Sequence, residues 1–189
     1  IKNGSQCLNK LNGMWAFILI NTENNTIFIC RDRFGIKPLY YYIDKLNNLF
    51  IASEIKSIIN LFNKKFTLNT KFISKFVNQN IFNDSEKTLV NEIYAFPKAS
   101  FIHTEIENLV DSLKNKKFER YWFHPYEKNK IHKFKNTHQS EIKNIINDSV
   151  KLRLRSDVPL AILISGGLDS STLLACMRNI YKDREILGY

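Results

Sequence analysis

Apolar residues in the first part of this chain come in short runs broken by polar turns. Residues 14–20 and 26–30 flank the polar stretch 21–25, which predicts a β-hairpin. Residues 39–43 and 49–52 predict a second hairpin across 44–48. Ser53 is then the expected N-cap of a helix, with Ile55, Ile58, Ile59 and Phe62 along one face. A second amphipathic helix is expected over 70–79, and short strands at 93–96 and 100–103 around Pro97. Residues 113–137 are polar, lysine-rich and broken by Pro125, and read as a surface connection, although Tyr121, Trp122 and Phe123 need something to pack on. Beyond them Ile142, Ile145, Ile146, Val150 and Leu154 recur with helical period over 139–155, and Pro159 ends the pattern. An apolar run at 160–164, a glycine turn, a helical pattern over 170–180 and an apolar stretch at 186–189 follow. Helix, strand, helix, strand is the opening of a parallel α/β sheet. The expected organisation is one domain over 1–112, a connection over 113–137 and the start of a second domain over 138–189. No internal repeat is visible.

Composition narrows this picture without changing it. An apolar fraction of 44% over 189 residues suits a globular core, and 13% aromatic residues argue against disorder. No apolar run approaches the roughly 18–20 residues of a membrane-spanning helix, and no signal-peptide pattern opens the chain. It begins Ile1-Lys2-Asn3-Gly4 rather than with Met, so a longer polypeptide with a further front segment is expected. Cys7, Cys30 and Cys176 have no paired spacing, which fits neither a disulfide framework nor a zinc site and suits a cytoplasmic location. Cys30 and Cys176 lie inside apolar patterns and are expected as small core residues. His103, His124, His132 and His138 show no metal-ligand spacing and are expected to be solvated. The net charge of +10 is spread along the chain, with clusters only at 114–117 and 128–135. No nucleic-acid motif accompanies it, so no nucleic-acid partner is expected.

The chemistry concentrates in Ser165-Gly166-Gly167-Leu168-Asp169-Ser170-Ser171, between the apolar run and the last helical pattern. A strand–glycine turn–helix arrangement points several backbone N–H groups outward at a helix N-terminus, where the helix dipole favours an anion, most often phosphate. Glycines allow close backbone approach to a ligand, and Ser165, Ser170 and Ser171 add hydroxyl donors. Asp169 suits a phosphate site only with a cation between them, so Mg²⁺ held by oxygen ligands is expected there. No lysine follows the glycines, which excludes the GxxxxGK[ST] loop. The alternative is a structural turn in which Asp169 and the serines are caps.

The stretch resembles the SGGLDSS pyrophosphate loop of the ATP pyrophosphatase superfamily, whose members are AMP-forming. Upstream, Gly13-Met-Trp-Ala-Phe17, Arg31-Asp-Arg-Phe-Gly-Ile-Lys-Pro-Leu-Tyr40 and Ala52-Ser-Glu-Ile-Lys56 occur in that order. This series resembles the later half of a class II glutamine amidotransferase domain. The two together resemble the glutamine-dependent asparagine synthetase family, over essentially the whole chain. The resemblance implies an α+β sandwich of antiparallel sheets of amidotransferase type, its N-terminal half missing, followed by the start of an α/β parallel-sheet pyrophosphatase-loop domain.

The resemblance also implies chemistry. Aspartate would be activated with ATP as β-aspartyl-AMP, releasing pyrophosphate, and then amidated by ammonia from glutamine. ATP and pyrophosphate contacts would fall on Ile164, Ser165, Gly166, Gly167, Leu168, Asp169, Ser170 and Ser171, with Asp169 on Mg²⁺ and the Ile164 backbone on adenosine. Glutamine, aspartate and ATP would be the small-molecule partners, in a cytoplasmic homodimer. The family's nucleophile is an N-terminal cysteine. Ile1 stands first here, so no glutaminase catalytic residue is assigned, and this stretch alone is expected to be inactive. Three alternatives remain: a related amidotransferase acting on another carboxylate, of a glycan or secondary metabolite, a tRNA-modifying adenylating enzyme, and a non-enzymatic, inactive remnant. Arg31, Asp32 and Arg33 form either an ion-pair network near the site or a loop held by salt bridges around a Gly35 turn. Glu54 is expected in a helix first turn, and Tyr40, Tyr41 and Tyr42 in packing.

Overall fold

The computed structural model describes residues 4–80, 86–124, 138–182 and 186–189. Pro125, His132 and the basic cluster at 128–135 lie outside the described residues. The chain forms two compact units, Ile1–Asn129 and Lys130–Tyr189.

The first unit is a sandwich of two antiparallel sheets. A 3₁₀ helix, Gly4–Lys10, precedes β1 (Ala16–Asn21) and β2 (Thr26–Arg31). After β3 (Tyr40–Ile43) and β4 (Leu49–Ala52) come helices α1 (Ile55–Ile59) and α2 (Thr70–Gln79). The unit continues with β5 (Tyr94–Ala95), β6 (Ser100–Glu105), helix α3 (Leu109–Lys114) and β7 (Glu119–Arg120). One sheet has the order β1-β2-β6-β7 and the other β4-β3-β5. Both expected hairpins are present, with Ala16 opposite Arg31 and Tyr40 opposite Ala52.

Side-chain alternation builds the layers. Ile27 and Ile29 of β2 face Tyr41 of β3, and Phe96, Leu109 and Leu113 complete that central core. Phe28 and Cys30 take the opposite face of the first sheet and pack under Leu8 of the 3₁₀ helix. Tyr42 faces away from the central core and packs with Ile58 of α1, Val90 and Ile93. Ile29 is fully buried in β2, an inner strand of its sheet. Ile29→Ala is expected to cost about 2–5 kcal/mol in urea denaturation; a loss under about 1 kcal/mol would show that this core can collapse around the gap.

Three local expectations are corrected. Ser53 is not the cap of α1: Glu54 occupies that position with an extended backbone and no side-chain capping bond. Its carboxylate instead meets Lys56 Nζ at 2.8 Å on the surface. Helix α2 is capped by side-chain chemistry, Asn69 accepting from the Phe72 amide, and ends at Asn80 in the left-handed region. Residues 113–124 do not read as a bare surface connection. Leu113 is buried, β7 pairs with β6, and Tyr121 donates its hydroxyl to the Arg31 carbonyl at 3.0 Å. His124 is half-buried, its ring 5.7 Å from that of Trp122.

The second unit holds α4 (His138–Arg153), β8 (Ala161–Ile162), α5 (Leu168–Ile180) and β9 (Leu187–Gly188). Val150 and Leu154 pack on Met177 between the helices. Tyr181 donates to the Leu154 carbonyl at 2.9 Å. Strands β8 and β9 pair in parallel, Ala161 with Leu187 and Ile162 with Gly188. Among the described residues no helix is long and apolar enough to cross a membrane.

Candidate functional site

The Ser165–Ser171 stretch lies where β8 hands over to α5. The strand end is pinned to its neighbour: Ile164 N–H donates to Tyr189 O at 2.7 Å, and Tyr189 N–H to Ile162 O at 3.0 Å. Gly166 then takes φ +78°, a value that disfavours any residue with a Cβ. Nothing lies within 4 Å of where that Cβ would sit. Gly167, extended at φ −78° and ψ 165°, is the cap of α5, which starts at Leu168, two residues ahead of the expected start at Ser170. Its carbonyl accepts from Ser171 N–H at 3.1 Å.

This geometry leaves the amides of Gly167, Leu168, Asp169 and Ser170 without intrahelical partners, and no side-chain cap takes them. The hydroxyls serve the loop itself. Ser165 Oγ and Ser170 Oγ are 3.3 Å apart, and Ser170 Oγ donates to Gly167 O at 3.2 Å. Residues 165–169 are all exposed, and Leu168 stands 84% in solvent. A cavity of about 210 Å³ in this unit is lined by Leu154, Pro159, Met177 and Leu187 and by none of the loop residues. The loop residues are therefore exposed, and among the described residues nothing comes within 4 Å of the Cβ position at Gly166.

Asp169 sits in the first turn of α5, where the helix dipole favours a carboxylate. Its suitability for Mg²⁺ rests on the donor chemistry: exposed oxygen ligands with no thiol or imidazole among them. Among the described residues no three His, Cys, Asp or Glu side chains cluster to form a cage. A single carboxylate suits Mg²⁺ only where phosphate oxygens and water complete an octahedral shell.

The other sequence candidates cluster in the first unit, and their bonding differs from expectation. Among the described residues Arg31, Asp32 and Arg33 form no ion pair; backbone groups hold them instead. The Arg31 guanidinium donates to three carbonyls, Lys37 O at 2.8 Å, Phe96 O at 2.6 Å and Gly35 O at 2.8 Å. Its burial lowers its pKa below the usual arginine value, against smaller opposing effects of Tyr40 and Asp32. The buried Asp32 carboxylate accepts from four backbone amides. Oδ1 takes Phe34 and Ile36, each at 3.0 Å, and Oδ2 takes Lys37 at 2.9 Å and Trp15 at 3.3 Å. Arg33 reaches back to Leu11 O at 3.1 Å. Gly35 is at φ +67°, and a Cβ there would come within 3.1 Å of Lys98 Cβ. The loop is thus fastened to backbone at both ends while Phe34 and Ile36 project into solvent. Tyr41 and Tyr42 are buried in packing, as the sequence implied. Cys30 is fully buried beneath Trp15, and desolvation pushes its thiol up to about 11, which makes it a poor nucleophile.

The antiparallel sheets of the first unit, with their helices, fit an amidotransferase-type α+β fold. Comparison with protein families agrees: the description "Glutamine amidotransferase domain" matches residues 1–122 and "Asparagine synthase" matches residues 141–186. The chain belongs to the glutamine-dependent asparagine synthetase family. It is 34% identical over 186 residues to a Methanocaldococcus jannaschii protein provisionally named asparagine synthetase (glutamine-hydrolyzing) 2, an alignment covering 94% of this chain and 33% of that relative. Asparagine synthetase B (glutamine-hydrolyzing) of Escherichia coli is 30% identical over 174 residues, 92% of this chain and 25% of that protein. Amidase chry2 of Gibberella zeae is 27% identical over 192 residues, 98% of this chain and 26% of that protein. The chain spans a quarter to a third of the length of these relatives.

Proposed function

We infer that this chain forms part of an ATP-dependent, glutamine-hydrolysing asparagine synthetase. The first unit belongs to the amidotransferase domain, and residues 138–189 open the ATP-binding domain. One observation carries the reading: four amides without helix partners at the start of α5, on an exposed turn that Gly166 shapes. Four N–H groups converging with a helix dipole suit a polyphosphate better than they suit water alone. In this reading the amides of 167–170, with the hydroxyls of Ser165, Ser170 and Ser171, hold the β- and γ-phosphates. The Ile164 and Leu168 backbones border the nucleotide, Ile164 on the adenosine side. Asp169 holds Mg²⁺, which would neutralise phosphate charge when bound.

An aspartate side-chain carboxylate oxygen attacks the α-phosphorus of ATP; the bond to the β-phosphate oxygen breaks and pyrophosphate leaves with its charge. The resulting β-aspartyl-AMP is a far better acyl donor than the carboxylate. Ammonia from glutamine hydrolysis then attacks the acyl carbon, the bond from that carbon to the AMP oxygen breaks, the nitrogen loses one proton to AMP or solvent, and asparagine forms. Glutamine, aspartate and ATP as substrates, a homodimer and a cytoplasmic location all belong to this proposal.

The test is aspartate-dependent ATP–pyrophosphate exchange in the full-length polypeptide. Asp169→Ala is expected to lower it on the order of a hundredfold. An unchanged rate would remove Asp169 from the site. A second reading is amidation of a different carboxylate; relatives of this chain include one that is named only as an amidase, Amidase chry2. Exchange that ignores aspartate and responds to another carboxylic acid would select it.

A further inference from the structure

The first unit contains a cavity of about 590 Å³ that no step above uses. It lies behind the 31–37 loop, with Gly35 and Arg31 in its wall and Phe72 and Phe76 of α2 lining it. Its size is in the range of small-molecule sites, roughly 300–1,000 Å³. The lining is polarised. Phe96 and Phe72 are buried, which gives it a deep apolar side, whereas Lys87 and Lys98 are exposed and place two ammonium groups on the solvent side.

Among the described residues its wall carries the cations Arg31 and Lys98 beside the carboxylate of Glu86. That carboxylate already has a counter-ion, Lys116 Nζ at 3.0 Å from Oε2. Arg31 is the telling member. It is half-buried, and its three hydrogen bonds all go to neutral carbonyls, while the neighbouring Asp32 carboxylate is occupied by four amides. Among the described residues Arg31 gives no hydrogen bond to a carboxylate, and the Asp32 charge acts on it only through space. Gly35 leaves room beside it: a Cβ there would crowd Arg31 Cζ at 3.2 Å as well as Lys98.

We propose that this cavity is a binding site for a small amphipathic anion, an aromatic or branched apolar body carrying a carboxylate or phosphate group. The apolar body lies against Phe72, Phe76 and Phe96, and the anionic group faces Arg31 and Lys98. The occupied cavity is walled by the loop that carries Phe34 and Ile36, so binding stiffens that loop. The site does not depend on the ATP reading, because its test measures binding alone.

The probes are 3-phenylpropionate and phenyl phosphate, titrated into the full-length polypeptide by calorimetry and saturation-transfer NMR. Acetate supplies the charge without the ring, and benzyl alcohol the ring without the charge. One of the two ring-bearing anions is expected to bind at least tenfold more tightly than either control, and the better of the two identifies the anionic group. Lys98→Glu, an exposed substitution, is expected to weaken that binding at least tenfold. Leu89→Trp, which fills the cavity from an exposed position, is expected to abolish it, with both variants keeping the parent melting temperature. Benzyl alcohol binding as tightly as the anions would overturn the proposal, as would no binding of either anion, or binding that both variants leave unchanged.

Discussion

Asp32→Ala is expected to destabilise the first unit by about 4 kcal/mol, more than its charge alone suggests. The carboxylate is the shared acceptor for four amides, those of Trp15, Phe34, Ile36 and Lys37. Each buried donor left without an acceptor costs about 1–3 kcal/mol, and water recovers part of that at the more exposed positions. Asp32→Asn makes the test sharper. Oδ1 and Oδ2 each accept two amides, so an amide side chain keeps one pair and points its own N–H₂ at the other. The Asn variant is therefore expected to lose about 2–3 kcal/mol, still short of the Ala variant. Urea denaturation of both variants measures this. A loss below about 1 kcal/mol for Asp32→Ala would mean that the loop rests on Arg31 and not on Asp32.

Gly166→Ala is expected to separate stability from ligand binding in the second unit. A Cβ at φ +78° carries a backbone cost of about 1–2 kcal/mol but meets no atom within 4 Å. The folded unit therefore survives. The turn relaxes toward negative φ, and the amides that follow it change direction. Misplacement of a site by about 1 Å is enough to reduce function around a hundredfold. ATP affinity of the full-length polypeptide is expected to fall by that order, while denaturation shows a loss no larger than the strained turn's cost of about 1–2 kcal/mol. Equal ATP affinity in parent and variant would reduce the turn to a structural connection.

Much of this was legible in the residues because it is local. The two hairpins follow from apolar runs separated by polar turns, and the structure pairs them as β1–β2 and β3–β4. The strand–turn–helix at Ser165–Ser171 is contiguous, so its elements and their order could be read directly. Contacts between distant positions were not legible. Arg31 and Asp32 are adjacent and opposite in charge, which suggested an ion pair; their partners are instead the carbonyl of Phe96 and the amide of Trp15. Polarity over 113–124 suggested a connection, because the pairing of β7 with β6 is a backbone event that side-chain polarity does not report.

The sequence by itself determined the family, the order of the two units and the position of the glycine turn, because each is written in consecutive residues and their local backbone preferences. Tertiary structure alone decided what fastens the 31–37 loop and that a cationic, apolar-backed cavity stands behind it. Those features join positions from Arg31 to Arg120, and their energetics depend on which backbone groups burial leaves without water.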